Sequence, residues 1–305
     1  MILYKYRTYA AFIMLIVTVS LLYYERSLPK RAIIPISPPI GGMNEYHFYN
    51  NFHYGDNILN LKFFYNISEH LHKRNIIIHY YYNDNYIKNK DELERYINKD
   101  TMVLHTIDEK PERAIELWLA HNQTGKKSIA SFDEYFEGVY KRLLNYMGIG
   151  HLGIDTSLYQ KEEYLLKIYD KLPDKFKNAE ILFINAEPHS GQFVYNKKQA
   201  NTIAIELAKY YKIVTTSPVN DEIPCTFTDG LKLQDIGAVS THAKYVIGVN
   251  SGPLIPCLNY YAKQSVKKWI LVSQERFTQI PCRRIYNYRR LKEVTISEID
   301  GYIQL

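Results

Sequence analysis

Tyr245 to Asn259 reads YVIGVNSGPLIPCLN. With Lys244, the β-branched, aromatic and glycine residues before Asn250 predict a buried strand over 244–249. Asn250, Ser251, Gly252 and Pro253 form a small polar turn, and the apolar run after it predicts a helix over 253–263. Proline suits the first helical position, because its missing N–H is one that a helix start leaves unpaired anyway. Gly252 leaves the neighbouring amides unshielded, and the positive end of a helix favours negative charge. A strand that breaks through Asn-Ser-Gly-Pro into a helix is therefore a place where the diphosphate of a nucleotide fits.

Outward from this turn the chain alternates. LQDIGAVSTHA, which contains Asp235 and His242, predicts a helix over 233–243, and VKKWILVS predicts a strand over 266–273. Upstream, AEILFINA (179–186) and KIVTT (212–216) read as strands on either side of a helix over 197–211. The first half shows the same rhythm. Strands are expected at 45–50, 75–82 and 101–107, and helices at 58–74, 91–99, 113–122, 132–149 and 159–172. Strands alternating with helices mean a mostly parallel sheet covered by helices. Two such series predict an α/β protein of two facing Rossmann-like domains, 44–172 and 173–305. Ligands in such sheets bind beyond the carboxyl ends of the strands. The loops after Asn50, Ala186 and Val249 are thus expected to line a shared cleft.

The 305 residues are 46% hydrophobic and carry a formal charge of +6, enough for folded domains with proper cores and too diffuse a charge for nucleic acid. Cys225, Cys257 and Cys282 form no CxxC pair and no zinc spacing, so no structural metal is expected. Lys5 and Arg7 precede an apolar run over 8–24, about the ~17 residues of the shortest membrane-spanning helices. LLYYER after it makes a poor cleavage site. The reading is an uncleaved anchor over 1–25, a Pro/Gly-rich stem over 26–43, and a single-pass type II protein with its folded part on the lumenal side. Asn122 heads an N-glycosylation pattern; Asn66 heads another, but inside a predicted helix.

Two more loops carry candidate residues. FHYGDN (52–57) links a strand to a helix. Gly55 brings backbone close to a ligand there, and Asp56 beside His53 has the makings of a general base, although Asp at a helix start is also a common cap. Gly55 and Asn57 are read as substrate contacts. EPHSGQ (187–192) occupies the corresponding loop of the second half, with Glu187, His189, Ser190 and Gly191 as candidates for holding phosphate; a plain polar turn explains it equally well. GxxxxGK[ST], GxSxG, HExxH and DxD are all absent, which argues against P-loop, esterase, zinc-protease and metal-held sugar-nucleotide chemistry.

The GD of FHYGDNIL and the run LQDIGAVSTHAKYVIGVNSGPLIPCLNYYAK together resemble heptosyltransferase-type glycosyltransferases of the two-domain GT-B kind. That resemblance implies a metal-independent, inverting transfer from a nucleotide sugar to a glycan or other hydroxyl acceptor. The first domain would hold the acceptor and the second the donor. On this basis Asp56 matches the catalytic base, and Asn250, Ser251 and Gly252 match the diphosphate turn, with Pro253 and His242 nearby. His53 would orient Asp56 or the acceptor, and closure of the cleft would exclude water. The family often has a His just after the turn, where this chain has Leu254 and Ile255. A non-catalytic nucleotide- or glycan-binding protein on the same scaffold, and a tethered structural protein, are the alternatives.

Overall fold

The computed structural model describes residues 44–117, 132–187, 196–249, 251–272 and 291–294. The expected anchor and stem, Asn122, His189, Ser190, Gly191, Asn250 and Cys282 lie outside the described residues. Among the described residues, no helix is long and apolar enough to cross a membrane.

In the first half, β1 (Glu45–Asn50) is followed by α1 (Tyr54–Asn66) and α2 (Ser68–Lys73), then β2 (Ile77–Tyr82), α3 (Asp91–Glu94), β3 (Met102–Thr106) and β4 (Ile115–Glu116). All four strands run parallel in the order β3-β2-β1-β4. The expected helix over 113–122 is overturned at its start. Ile115 pairs with Phe48 as a short edge strand, because pairing with β1 outweighs the helical spacing of a few apolar residues. The helix expected over 91–99 is a single turn. Two further helices, α4 (Phe132–Tyr146) and α5 (Glu163–Lys171), complete this half.

The second half runs β5 (Ile181–Ile184), α6 (Lys197–Ala208), β6 (Ile213–Thr215), α7 (Leu233–Ser240), β7 (Tyr245–Val249), a 3-10 helix (Gly252–Cys257), α8 (Tyr260–Ser265), β8 (Lys268–Val272) and β9 (Leu291–Val294). Its sheet is parallel in the order β6-β5-β7-β8-β9. The strand order reverses between β5 and β7, which is where open α/β sheets bind ligands.

The expected helix over 253–263 is broken in two. Pro256 has no N–H to donate and its ring crowds the preceding turn, so only 3-10 turns form up to Cys257. Asn259 then caps a new helix through the amide of Ala262, at 2.8 Å.

Burial explains the strand composition. Leu182, Ile184, Val214, Val246 and Trp269 face one apolar core, and Ile181, Phe183, Ile213, Ile247 and Ile270 face another beneath α6. The second sheet is thus buried on both sides, as parallel sheets usually are. In the first sheet Tyr46, Phe48, Ile78, Tyr80 and Met102 belong to the main core. Its other face carries a row of rings: His47 stacks on His79 at 4.8 Å, and His79 meets His105 at 5.2 Å. The main core contains residues of both halves, so apolar packing is continuous from one sheet to the other.

Candidate functional site

At the end of β1, the Asn50 side chain accepts the amide of Phe52 at 3.0 Å and curls the chain into α1. His53 is the N-cap residue, with extended backbone and no capping bond from its ring. Asp56, three residues on, does the capping instead: the backbone amides of His53 and Asp56 itself hydrogen-bond to its carboxylate. Those bonds favour the charged form, yet burial outweighs them and pushes the carboxyl from 3.8 up to about 6. Asp56 therefore caps a helix and also holds a proton-accepting group tuned near neutrality. The His53 ring packs edge-on against Tyr86, 4.9 Å away.

Asn57 turns inward. Its amide donates to the carbonyls of Phe52 and His53, each at 3.0 Å, and its oxygen accepts from the Tyr80 hydroxyl at 3.1 Å. It holds the loop together and is fully buried, so the substrate contact expected for it is not supported.

The turn after β7 lies directly against this helix start. A Cβ placed on Gly55 would stand 3.3 Å from Gly252 Cα and 3.5 Å from Ile255 Cγ1. A side chain at Gly55 would crowd this contact and push the two backbones apart by a few tenths of an ångström. Ser251 has extended backbone, and its carbonyl accepts the amide of Leu254 at 2.9 Å. Its hydroxyl is buried and has no hydrogen-bond partner among the described residues. An unpaired buried hydroxyl calls for a missing partner. Because Pro256 limits the helix to 3-10 turns, the expected long-helix dipole is reduced to the first amides of a short one.

Beyond Pro253 opens a cavity of about 310 Å³. Asn185, Thr216 and Ser217, at the ends of β5 and β6, form one side, and Leu231, Leu233 and Ile236 form an apolar wall. Asn185 stiffens its side: Oδ1 accepts the amides of Thr216 at 3.1 Å and Ser217 at 2.7 Å, and Nδ2 donates to the Ser217 carbonyl at 3.0 Å. Phe227 stands at the rim, 75% exposed. Lys197 and Glu187 also line the space, as does Glu92 of the first half. The volume and the mixed lining suit a small organic ligand.

Of the expected site residues, the structure brings Gly55 against Gly252, with Asp56 and Ser251 their neighbours in the chain, and places Pro253 and Glu187 on the adjoining cavity. His242 stays away. It follows the far end of α7 and is not among the residues lining the cavity, whereas Leu233 and Ile236 in the first half of that helix are. Its ring stacks on Tyr169 at 3.8 Å, and burial holds its pKa below the ordinary value. That contact joins α5 to the residues that follow α7.

Polar contacts that the sequence did not mark reinforce this packing: those of Lys62 with Leu258 and of Arg95 with Asp235 and Gln234 cross between the halves, and those of Lys62 and Asn66 with Glu162 lie within the first half. Lys62 Nζ donates to the Leu258 carbonyl and lies 3.3 Å from Glu162, with side-chain exposures of 4% and 1%. Arg95 pairs with Asp235 at 3.0 Å, and its carbonyl accepts from Gln234 at 2.8 Å. Asn66, at the end of α1, donates to Gln160 at 2.7 Å and Glu162 at 2.9 Å. Phe227 had one available signal, an aromatic in a polar turn ending in Asp-Gly. Glu92, Asn185 and Lys62 had none.

No family model matches the chain, and no curated protein matches it. Among solved structures it is similar to the E. coli heptosyltransferase WaaC with ADP-2-deoxy-2-fluoro heptose, at 11% identity over 85% of this chain and 99% of that one, with a TM-score of 0.45. The same E. coli enzyme with ADP aligns at 12% identity over 85% and 99%, with a TM-score of 0.42. A glycosyl transferase family 9 structure from Veillonella parvula aligns at 13% identity over 85% and 87%, with a TM-score of 0.41.

Proposed function

We propose that this chain is a glycosyltransferase that moves a sugar from a nucleoside diphosphate donor to a hydroxyl acceptor. The observation that carries the reading is one juxtaposition. A half-buried carboxylate with a pKa of about 6, Asp56, follows the glycine that touches Gly252 of the turn after β7, and that turn leads through Pro253 into a ligand-sized cavity.

In this reading the nucleoside occupies the cavity and the diphosphate lies along the turn. Asp56 takes the proton from the acceptor hydroxyl. The freed oxygen forms a bond to the anomeric carbon while the bond from that carbon to the diphosphate oxygen breaks. The electron pair leaves with the diphosphate. Ser251 Oγ and the exposed amides of the turn donate hydrogen bonds to the developing charge. Attack from the side opposite the leaving group inverts the anomeric centre. No residue is assigned to a metal. Water exclusion rests on the packing of the two halves against each other rather than on closure of an open cleft. The N-terminal apolar run would tether the enzyme to a membrane, with the folded part lumenal.

The test is a panel of nucleoside diphosphate sugars against wild type and Asp56→Asn. The variant should bind the same nucleotide as wild type and lose transfer. Unchanged turnover in Asp56→Asn would remove the base from the mechanism. Nucleotide binding without transfer in wild type would favour a binding protein on the same scaffold.

A further inference from the structure

Glu92 is the one residue of the first half among those lining the cavity. It lies on the single-turn helix α3, which is held against the start of α7. Arg95 pairs with Asp235 there, Gln234 donates to the Arg95 carbonyl, and Glu92 Oε2 accepts the amide of Leu233 at 3.0 Å. These contacts place the Glu92 carboxylate in the cavity wall, where its side chain is 16% exposed. Lys232 Nζ lies 4.0 Å from Oε1, at the limit of an ion pair. Burial raises the Glu92 pKa more than the Leu233 amide and Lys232 lower it. A carboxylate has about four acceptor positions, and one amide leaves most of them open.

A carboxylate repels the diphosphate, so the part of a nucleotide that meets Glu92 must be neutral and must bring hydrogen-bond donors. Phe227, exposed at the rim, offers a flat apolar face suited to the base. The diphosphate belongs at Ser251 and Pro253, with Lys197 on the same cavity. The portion between base and diphosphate is the ribose, whose hydroxyls are donors.

We propose that Glu92, supplied by the acceptor half, reads the ribose of the donor nucleotide through its hydroxyls. This rests on the nucleotide reading of the cavity given above. The donor is then gripped by both halves, and its binding depends on α3 staying docked on α7.

The test is calorimetric titration of the full chain with ADP, GDP, UDP and CDP, followed by the 2′-deoxy form of whichever binds best. Wild type should bind at least one of these and prefer the ribonucleotide. Glu92→Gln removes the charge and should weaken that nucleotide about tenfold, while the 2′-deoxy form should weaken much less. Glu92→Asp, which withdraws the carboxylate by one methylene, should fall between. Binding of inorganic pyrophosphate should be the same in wild type and Glu92→Gln; an equal loss of pyrophosphate would mean a damaged pocket and would overturn the assignment. Equal affinity of wild type and Glu92→Gln for the ribonucleotide, or an equal loss for both sugars, would also overturn it. If wild type binds no nucleoside diphosphate, the nucleotide reading itself falls, and this inference with it.

Discussion

The loop after β1 and the turn after β7 share a plan and differ in chemistry. Each leaves a parallel strand and enters a helix after a short connection, and their glycines face each other across the junction of the halves. In the first, α1 runs for thirteen residues and puts an aspartate at its third position, where the backbone holds it and burial tunes it. In the second, the helix ends after six 3-10 residues that include Pro256, and what remains is a hydroxyl with no partner among the described residues, on the turn that leads into a cavity. In the proposed mechanism the same backbone device would serve a proton acceptor in one half and an anion cradle in the other. Which residue falls in the first turn, and whether the helix can continue, decide between the two.

The largest test of this division is Asp56→Asn. Transfer should fall by roughly 10²- to 10⁴-fold, the usual worth of a general base. In wild type the rate should drop as pH falls through about 6, where Asp56 takes up its proton. The stability effect has the opposite sign. A carboxyl whose pKa is raised on folding contributes stability below pH 3.8 that is lost as pH rises through about 6. Asp56→Asn should therefore be more stable than wild type by about 2–3 kcal/mol at pH 7, with the gain gone near pH 4. Denaturant unfolding at both pH values checks this. A variant no more stable at pH 7 would mean that Asp56 is not held at a cost.

The register of the two loops depends on how the halves are joined. Glu162→Gln leaves Lys62 buried with its charge uncompensated and should cost about 3–5 kcal/mol. Replacing Lys62 by Met in the same chain should recover much of that loss. If Glu162→Gln unfolds at the wild-type denaturant midpoint, Glu162 does not hold Lys62 in place against the Leu258 carbonyl of the second half.

The two facing glycines should not be equivalent. A Cβ on Gly55 meets Gly252 backbone at 3.3 Å, whereas a Cβ on Gly252 meets nothing nearer than 3.7 Å. Gly55→Val should destabilise by about 1–3 kcal/mol and Gly252→Val by less. The reverse order would mean that the strain is set by the turn and not by the contact.

The smallest effect is expected at Ser251. Ser251→Ala removes a buried hydroxyl that has no partner among the described residues, so without ligand the variant should be neutral or more stable by up to about 1 kcal/mol. The same change should weaken nucleoside diphosphate binding several-fold. Weaker stability with unchanged binding would assign the hydroxyl to the fold alone.

Most of the α/β alternation was legible. The strands expected at 244–249 and 266–273 appear as β7 and β8, and the helix expected over 197–211 appears as α6, because apolar runs and helical spacing are local signals that the final packing does not reverse. The failures came where a distant partner decided. Ile115 joined Phe48 in a sheet instead of a helix, and α3 closed after one turn against α7. At the site, Asp56 was marked by its Gly-Asp setting at a helix start. Glu92 was one of several charges in a polar segment, and its place in the cavity depends on contacts with residues more than a hundred positions away.

The amino-acid order alone determined where strands end, where helices start and which residues stand in their first turns. These follow from backbone preferences over a few neighbouring residues. Only the folded molecule decided that Asp56 would lose enough water to become a base near neutrality, that Gly55 would meet Gly252, and that Glu92 would cross into the other half's cavity. Desolvation and close approach depend on residues far apart in the chain, and no local pattern carries that information.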